Sequence, residues 1–262
     1  MSTPQDRPAA AAFRRRLSSG ERLIGTFVKT PTTHTTEILG DLGFDFVVID
    51  EEHAPFDRVT IDMLLLAARA SGTAGIVRVA EPTPSRLLSV LDDGAAGVLV
   101  PHVSSVQKAQ EIAAACRYRG GKRGFSNSPR AGRYGGRGIW QHVDAADAEV
   151  TVIAMIEDPE ALDDIEAIAS VDGIHGLFIG RGDLTVALGA PAMDSLEILD
   201  VVRRICAAGR KAGKPICMMA ANAAEAATFA EYGATSFIIS SDQGLMRQAA
   251  SQVLAEFAAT KA

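Results

Sequence analysis

Short apolar runs alternate along the chain with longer segments in which apolar residues recur every three or four positions. The short runs are nearly continuous in aliphatic residues, as expected for strands that helices cover on both faces of a parallel sheet. The predicted strands are Leu23–Val28, Phe46–Asp50, Gly75–Val79, Gly97–Pro101, Thr151–Glu157, Gly176–Gly180, Pro215–Met219 and Ser236–Ser240.

The longer segments have the periodicity of amphipathic helices, and one follows each predicted strand. Eight strand–helix repeats are the content of a (β/α)8 TIM barrel, whereas an open doubly wound sheet rarely has as many strands. We therefore predict an α/β protein of the TIM barrel class. The predicted helices are Thr35–Leu42, Ile61–Ser71, Ser85–Leu91, Val106–Tyr118, Pro159–Ser170, Leu196–Ala212, Ala223–Tyr232 and Leu245–Phe257.

Two parts of the chain stand outside this alternation. Residues 1–20 are expected to form an extra N-terminal helix that plugs the lower end of the barrel, where the strands begin. The stretch Arg119–Glu149 is rich in glycine and is the one long irregular segment. Loops of this length in compact domains are usually functional or mobile. We therefore predict a single barrel domain over residues 1–262, with a long active-site loop at 119–149.

This loop is also basic. Its cations could attract an anionic substrate, and its glycines would allow it to close as a lid. The alternative is a solvated loop whose cations pair with acidic neighbours. The basic residues are Arg119, Lys122, Arg123, Arg130, Arg133 and Arg137.

Composition and charge restrict the partners. The formal net charge of -6 disfavours nucleic acid as a partner. No run approaches the ~20 apolar residues of a membrane helix, and residues 1–20 lack the apolar core of a secretory signal. The 3 cysteines are scattered and odd in number, so we expect them to be reduced. These features predict a cytoplasmic protein that acts on small molecules, with neither nucleic acid nor a membrane as partner.

Acidic residues follow two of the predicted strands. Glu157 closes the fifth strand, and Asp183 follows the sixth within Gly180-Arg-Gly-Asp183. Because the carboxyl ends of all strands meet at the upper face of a barrel, we expect both carboxylates there. Oxygen ligands in an open site suit a divalent cation such as Mg2+, Mn2+ or Co2+. Alternatively, Glu157 caps the following helix and Asp183 only orders its glycine-rich loop.

A histidine lies in an acidic turn after the second strand, in Asp50-Glu51-Glu52-His53. An imidazole titrates near neutral pH and therefore suits proton transfer at a carbon next to a carbonyl. Asp50, or Asp92 at the end of the third helix, could hold the second ring nitrogen of His53. The alternative is a surface histidine in a charged turn. His102, at the end of the fourth strand, ranks behind His53 because no acidic cluster adjoins it in sequence.

Arg78 lies inside the third predicted strand, where a charged side chain is costly unless it is paired or used. Its guanidinium could hold a carboxylate or a developing enolate oxygen. The alternative is a buried ion pair with Asp50 or Glu157. A Schiff-base mechanism would instead need a lysine that projects into the barrel from a strand. Only Lys29, at the end of the first strand, is a candidate, so the metal route is better supported.

A series of short motifs runs in order along nearly the whole chain. They are Val48-Ile-Asp50-Glu-Glu-His53-Ala-Pro55, Val77-Arg78, Leu91-Asp92-Asp-Gly94, Leu99-Val-Pro101, Arg119–Arg133, Ile156-Glu157 and Phe178-Ile-Gly180-Arg-Gly-Asp183-Leu. Together they resemble the HpcH/HpaI family of class II, metal-dependent pyruvate aldolases. The resemblance implies reversible cleavage of a 4-hydroxy-2-oxo acid to pyruvate, or hydroxypyruvate, and an aldehyde. It also implies a homohexamer, a trimer of dimers that exchange their last helices.

The resemblance further implies roles for single residues. It gives Glu157 and Asp183 as metal ligands and His53 as the base. The remaining implied roles are stabilisation of the enolate by Arg78, support of the histidine by Asp92, and a backbone contact from Gly182 to the substrate carboxylate.

One position departs from the family pattern. Close aldolase members have a substrate-binding Gln two residues before the metal-binding Glu, where this chain has Met155. An amide donor is replaced by a thioether, so one hydrogen bond in the substrate-binding site is missing. Two alternatives therefore stand beside the aldolase: another metal-dependent carbon–carbon lyase or hydrolase acting on 2-oxo acids, and a non-catalytic barrel that binds them. The presence of a base favours an enzyme, because a binding protein has no need of one.

Overall fold

Eight parallel strands pair in chain order and the eighth pairs with the first, so the sheet closes into a barrel. The predicted (β/α)8 TIM barrel is therefore confirmed. The structure is a computed structural model that describes residues 12–259. The strands are β1 Leu23–Val28, β2 Phe46–Asp50, β3 Ala74–Arg78, β4 Gly97–Val100, β5 Thr151–Ile156, β6 Gly176–Ile179, β7 Ile216–Met219 and β8 Ala234–Ser241.

Helices cover the outside of the barrel, and every predicted helix has a counterpart. No helix within residues 12–259 is long and apolar enough to cross a membrane. The helices are α1 Phe13–Ser18, α2 Thr33–Leu42, α3 Arg58–Ala70, α4 Pro84–Asp92, α5 Val106–Cys116, α6 Ile139–Glu149, α7 Ile165–Ala169, α8 Arg181–Leu188, α9 Leu196–Lys211, α10 Ala223–Tyr232 and α11 Asp242–Ala259.

Alternate residues of each strand point to opposite faces, which gives the protein two apolar layers. Outward-facing residues such as Val47, Ile49 and Val77 pack with the helices. Inward-facing residues fill the barrel, which is therefore a packed core rather than a channel. The inward-facing set includes Phe27, Phe46, Val48, Ile76, Leu99, Ile153, Met155, Phe178, Cys217 and Ile238.

Helix α1 packs against the lower end of the barrel. Phe13 and Leu17 are buried in the inner apolar layer, and the ring of Phe13 lies 5.3 Å from the ring of Phe46. This is the place at which the sequence predicted an N-terminal helix. The part of that prediction that falls on residues 1–11 lies outside the described residues.

Two helices, α6 and α8, were not predicted. Helix α8 begins at the end of β6, contains Gly182 and buries only Arg181 and Leu184, so it lacks an apolar stripe. Helix α6 has the same weakness, because its buried face carries His142 as well as Val143 and Ala146. The predicted helix Pro159–Ser170 consists instead of two elements, a 3-10 turn at Pro159–Leu162 and the helix α7.

The segment Arg119–Glu149 lies at the lower end of the barrel. It joins the end of α5 to the start of β5, and such connections lie where the strands begin. Accordingly, Arg123 Nη2 donates to Asp92 Oδ1 (3.0 Å) at the end of α4, and Arg130 Nε donates to the carbonyl of Asp93 (3.0 Å). Chain direction therefore holds these cations at the end opposite to the upper rim of the same chain, and an active-site loop at 119–149 stays a prediction.

Candidate active site

The strand ends bring most of the predicted site residues to one rim. Asp50 and Arg78 are the last residues of β2 and β3, and His53 lies in the turn after β2. Glu157 directly follows β5, and Asp183 lies in the first turn of α8, after β6. Because all strands run in the same direction, these five residues share the upper face.

Asp50 and Arg78 form a two-point ion pair at the centre of this rim. Arg78 Nε donates to Asp50 Oδ1 (2.8 Å) and Nη2 donates to Oδ2 (2.7 Å). Lys29 Nζ lies 3.0 Å from Asp50 Oδ2. Burial alone would raise the pKa of Asp50, but the hydrogen bonds and charges of Arg78 and Lys29 outweigh it and lower that pKa. Asp50 is therefore a fixed anion that orients Arg78.

The third nitrogen of Arg78 faces a residue to which sequence reasoning gave no role. Arg78 Nη1 lies 3.3 Å from Glu52 Oε2. The Nε2 atoms of His53 and His102 each lie 3.8 Å from an oxygen of the same carboxylate. The carboxylate of Glu52 therefore lies beside the guanidinium of Arg78 and the imidazoles of His53 and His102. The position of Glu52 in the acidic turn before His53 could have indicated a role in the site. However, the turn also contains Glu51, and the sequence alone does not show which of the two glutamates faces the site.

His53 projects from the rim, and its side chain is 55% exposed. Asp50 accepts the backbone N–H of His53 at 3.2 Å, so it fixes the turn rather than the ring. The prediction that Asp50 or Asp92 holds the second ring nitrogen is not met within this chain. Asp92 lies at the opposite end of α4, where its carboxylate binds Arg123. The acidic group beside the ring of His53 is instead Glu52, whose Oε2 lies 3.8 Å from His53 Nε2.

His102 contacts more acidic residues than its sequence context predicted. Its backbone N–H donates to Glu157 Oε1 (2.8 Å), and its ring Nδ1 lies 3.0 Å from Asp158 Oδ1. Burial lowers the pKa of His102, but the hydrogen bond to Asp158 and the charges of Glu157, Asp158 and Glu52 outweigh it and raise that pKa. The acidic groups around His102 come from β5 and from the turn after β2. Only the folded barrel brings them to the end of β4.

His102 also has a left-handed backbone, with φ of 55°, which is uncommon for a residue other than glycine. This conformation directs its N–H toward the carboxylate of Glu157. Strained backbone of this kind is concentrated at functional sites, where the surrounding structure holds it in place.

Glu157 is a buried carboxylate in a negatively charged surrounding. Burial raises the pKa of Glu157 to about 7, and the charges of Asp183 and Glu52 act in the same direction, while the N–H and the charge of His102 oppose them. A divalent cation would relieve this repulsion. The donor set therefore fits such an ion, with Glu157 and Asp183 as oxygen ligands and further positions left to water or substrate. No cluster of three or more His, Cys, Asp or Glu side chains within the described chain forms a complete metal site.

Close packing fixes the position of Glu157. A Cβ atom on Gly180 would lie 2.6 Å from Glu157 Cβ and 3.0 Å from the terminal methyl of Met155. Only glycine therefore fits at the end of β6. Met155 itself is buried in the inner apolar layer, and its thioether has no N–H to donate.

Gly182 lies beside the two acidic residues, in the first turn of α8. A Cβ atom on Gly182 would meet nothing within 4 Å, so this turn is open to a ligand. The first N–H groups of a helix have no partner within the helix and suit an anionic group.

Comparison with known proteins gives matches that cover nearly the whole barrel. Residues 23–249 match the family model described as HpcH/HpaI aldolase/citrate lyase. The 5-keto-4-deoxy-D-glucarate aldolase of Klebsiella pneumoniae is 33% identical over 247 residues, which are 94% of this chain and 96% of that protein. The same-named protein of Salmonella newport is 34% identical over 246 residues, 93% and 95% of the two chains.

Two solved structures have the same fold over almost their full length. An HpcH/HpaI aldolase/citrate lyase family protein from Burkholderia cenocepacia has a TM-score of 0.89 at 28% identity, covering 94% of this chain and 99% of that one. The citrate synthase SbnG has a TM-score of 0.87 at 29% identity, covering 96% and 99%. The upper rim described above therefore lies in a barrel shared with proteins that make or break carbon–carbon bonds.

Proposed function

This chain belongs to the HpcH/HpaI aldolase/citrate lyase family, and from that premise we propose that it is a metal-dependent aldolase acting on 4-hydroxy-2-oxo acids. The products would be pyruvate, or hydroxypyruvate, and an aldehyde. The observation that carries the proposal is the convergence of a buried carboxylate, a guanidinium and two imidazoles on one rim. The relatives named 5-keto-4-deoxy-D-glucarate aldolase favour a substrate derived from a sugar acid.

Glu157 and Asp183 would hold a divalent ion such as Mg2+, Mn2+ or Co2+. When bound, this ion supplies Lewis acidity toward the oxo and carboxylate oxygens of the substrate. The first turn of α8 would place the N–H of Gly182 toward the substrate carboxylate. These contacts would orient the bond between C3 and C4 for cleavage.

His53 would act as the base. Its exposed ring can reach a substrate in the mouth, and its Nε2 lies 3.8 Å from Glu52 Oε2. In cleavage the ring takes the proton of the 4-hydroxyl, the C4–O bond becomes a carbonyl, and the C3–C4 bond breaks. The electron pair of that bond passes into the pyruvate enolate, and protonation at C3 completes the reaction. The reverse order of proton transfers gives synthesis.

Arg78 would meet the negative oxygen of the enolate. Its Nε and Nη2 donate to Asp50, while Nη1 lies 3.3 Å from Glu52 Oε2. A preoriented guanidinium at a developing oxyanion is worth about two to three powers of ten in rate. His102 would act as a positioning residue, because its backbone and ring hold Glu157 and Asp158.

We also propose a homo-oligomer, in keeping with the family resemblance. Helix α11 buries only its first residue, Asp242, and exposes Met246, Val253 and Leu254. An 18-residue helix with this much exposed apolar surface suits exchange between neighbouring subunits. The proposed form is a hexamer, a trimer of dimers.

The test is turnover of pyruvate or hydroxypyruvate with a panel of aldehydes, followed by chromatography of the products. Condensation that requires added Mg2+ or Mn2+, and stops after chelation, supports the proposal. Turnover that persists after exhaustive chelation contradicts the metal-dependent mechanism. Binding of 2-oxo acids without any turnover would favour the non-catalytic alternative.

A further inference from the structure

A second concave site lies at the lower end of the barrel, away from the rim that carries Glu157 and Arg78. It is a cavity of about 450 Å³. Thr73, Ala96 and Val150, which line it, each lie just before the start of a strand, namely β3, β4 and β5. The segment 123–149 forms the opposite wall. The cavity therefore opens at the face opposite to the active site.

The lining of this cavity is strongly cationic. Glu149 is the one acidic residue in that lining. The arginines that line it are Arg69, Arg123, Arg130, Arg133 and Arg137.

Arg123 is the central feature, because it is buried and incompletely paired. Its side chain is 1% exposed, its Nη2 binds Asp92, and its guanidinium stacks 4.5 Å from the ring centre of Tyr118. Its Nε and Nη1 are buried and have no hydrogen-bond partner among the described residues. An unpaired buried N–H donor costs free energy, because it has lost its hydrogen bonds to water. An acceptor from a bound ligand would recover that free energy for these two nitrogens.

His142, which also lines this cavity, has a second unpaired polar atom. The residue is fully buried, and its Nε2 lies 3.2 Å from the hydroxyl of Tyr118. Its Nδ1 has no partner within the described part of the chain. Burial lowers the pKa of His142, and the charges of Arg123 and Arg137 lower it further, so the ring is neutral at physiological pH. A neutral ring can donate from Nδ1 to a ligand oxygen.

The charges of the lining are only partly neutralised. Asp92 pairs with Arg123, and Asp62 pairs with Arg130. Arg133 and Arg137 form no ion pair with any other described residue. The remaining positive charge favours an anion, and guanidinium groups bind carboxylates and phosphates with matching geometry.

Apolar side chains complete the walls. Leu65, Leu91 and Ala95 line the cavity beside the arginines. A ligand therefore needs both oxyanion groups for the cations and a small carbon skeleton for this apolar part.

We propose that this cavity binds a small organic anion with two or more negative charges, of the phosphate ester or polycarboxylate class, at a site separate from the active site. The oxyanion groups contact Arg123 and Arg137, and one of their oxygens accepts from His142. This cavity and the upper rim of the same chain lie at opposite ends of the barrel, so either proposal can fail while the other stands.

The experiment is a calorimetric titration of the full-length, metal-free protein with glycerol 3-phosphate and, separately, with citrate. Arg137→Gln removes one free cation, and Arg133→Gln is a second variant at a more exposed position of the wall. Lys122→Gln is the matched control, since Lys122 adjoins Arg123 in sequence but does not line the cavity. Thermal unfolding verifies that each variant is folded.

The proposal predicts binding of at least one of the two probes by the wild-type protein and by Lys122→Gln. It predicts at least about tenfold weaker binding by Arg137→Gln, because loss of a charge-assisted contact has an effect of that order. Aldol turnover in the absence of the anion should be the same in all of these proteins. Binding of one probe only identifies the ligand class. Failure of both probes to bind, or equal affinity in Arg133→Gln, Arg137→Gln and Lys122→Gln, overturns the proposal.

Discussion

Asp50 and Arg78 are register partners on β2 and β3, and their side chains form a two-point ion pair at the upper rim. Lys29, which directly follows β1, binds the same carboxylate. Three neighbouring strands are therefore joined by one buried anion. The arrangement keeps the guanidinium of Arg78 in a single orientation, with Nη1 toward Glu52.

Removal of the carboxylate should destabilise the protein strongly. Asp50→Ala leaves Arg78 and Lys29 without their shared counterion, and an uncompensated buried charge costs about 3–5 kcal/mol. Denaturant unfolding measures this loss. Glu37→Ala, on the exposed surface of α2, is the control and should change the free energy of unfolding by less than about 0.5 kcal/mol. A loss below about 1 kcal/mol in Asp50→Ala would show that the pair contributes no more than a surface ion pair does.

The proposed base role of His53 predicts a specific kinetic defect. His53→Ala should lower kcat for aldol cleavage by about two to four powers of ten, because a positioned general base contributes that much. Binding of Mn2+, followed by electron paramagnetic resonance, should stay near the wild-type level. His34→Ala changes another exposed histidine, on α2, and should leave kcat unchanged. A near-normal kcat in His53→Ala would remove His53 from the base role and leave His102, the other imidazole beside Glu52, as a candidate.

A further prediction concerns Met155, whose thioether has no hydrogen-bond donor. Met155→Gln introduces an amide donor beside Glu157 and should lower KM for the 2-oxo acid by about tenfold, the effect of one hydrogen bond to a charged group. Met155→Leu preserves the apolar character and should keep KM near the wild-type value. If Gln and Leu at this position give the same KM, residue 155 does not contact the substrate.

The sequence predicted the repeated strand–helix units well because each strand is covered on both faces and each helix has an apolar stripe. The positions of Asp50, Arg78 and Glu157 at the upper rim could be predicted because parallel strands all end at the same face. The same rule, applied to Asp92 and to residues 119–149, would have placed both at the lower end. Their assignment to the active site came from the chemistry of cations and acids rather than from their position along the chain.

Other features depend on contacts between distant segments, which no local pattern reveals. The carboxylates that surround His102 come from two other strand ends. The role of Glu52 depends on which way a four-residue acidic turn faces. Helix α8 is held by its place after β6 rather than by its own apolar pattern.

The buried carboxylate of Glu157 predicts a pH dependence of stability in the metal-free protein. Its pKa in the folded state, about 7, lies above the ordinary value of 4.5, so the folded state holds a proton that the unfolded chain releases. This group therefore favours folding fully below pH 4.5, and that contribution is lost as pH rises through about 7. Between about pH 5 and pH 8, wild-type protein in chelator should lose more stability than Glu157→Gln.

Denaturant unfolding at several pH values checks this dependence. Added Mn2+ should stabilise the wild-type protein increasingly as pH rises, because a metal ion binds the deprotonated carboxylate. Parallel pH profiles for wild type and Glu157→Gln in chelator would contradict the raised pKa.

Glu157 and Asp183 are proposed to hold a divalent ion that assists proton transfer at a 2-oxo acid. Exchange of the methyl protons of pyruvate with deuterium oxide, followed by proton NMR with no aldehyde present, measures this step directly. We expect exchange with Mg2+ in the wild-type protein, and none above background after chelation or in Glu157→Gln and Asp183→Asn. Exchange that continues at the wild-type rate in the chelated enzyme or in either variant would contradict it.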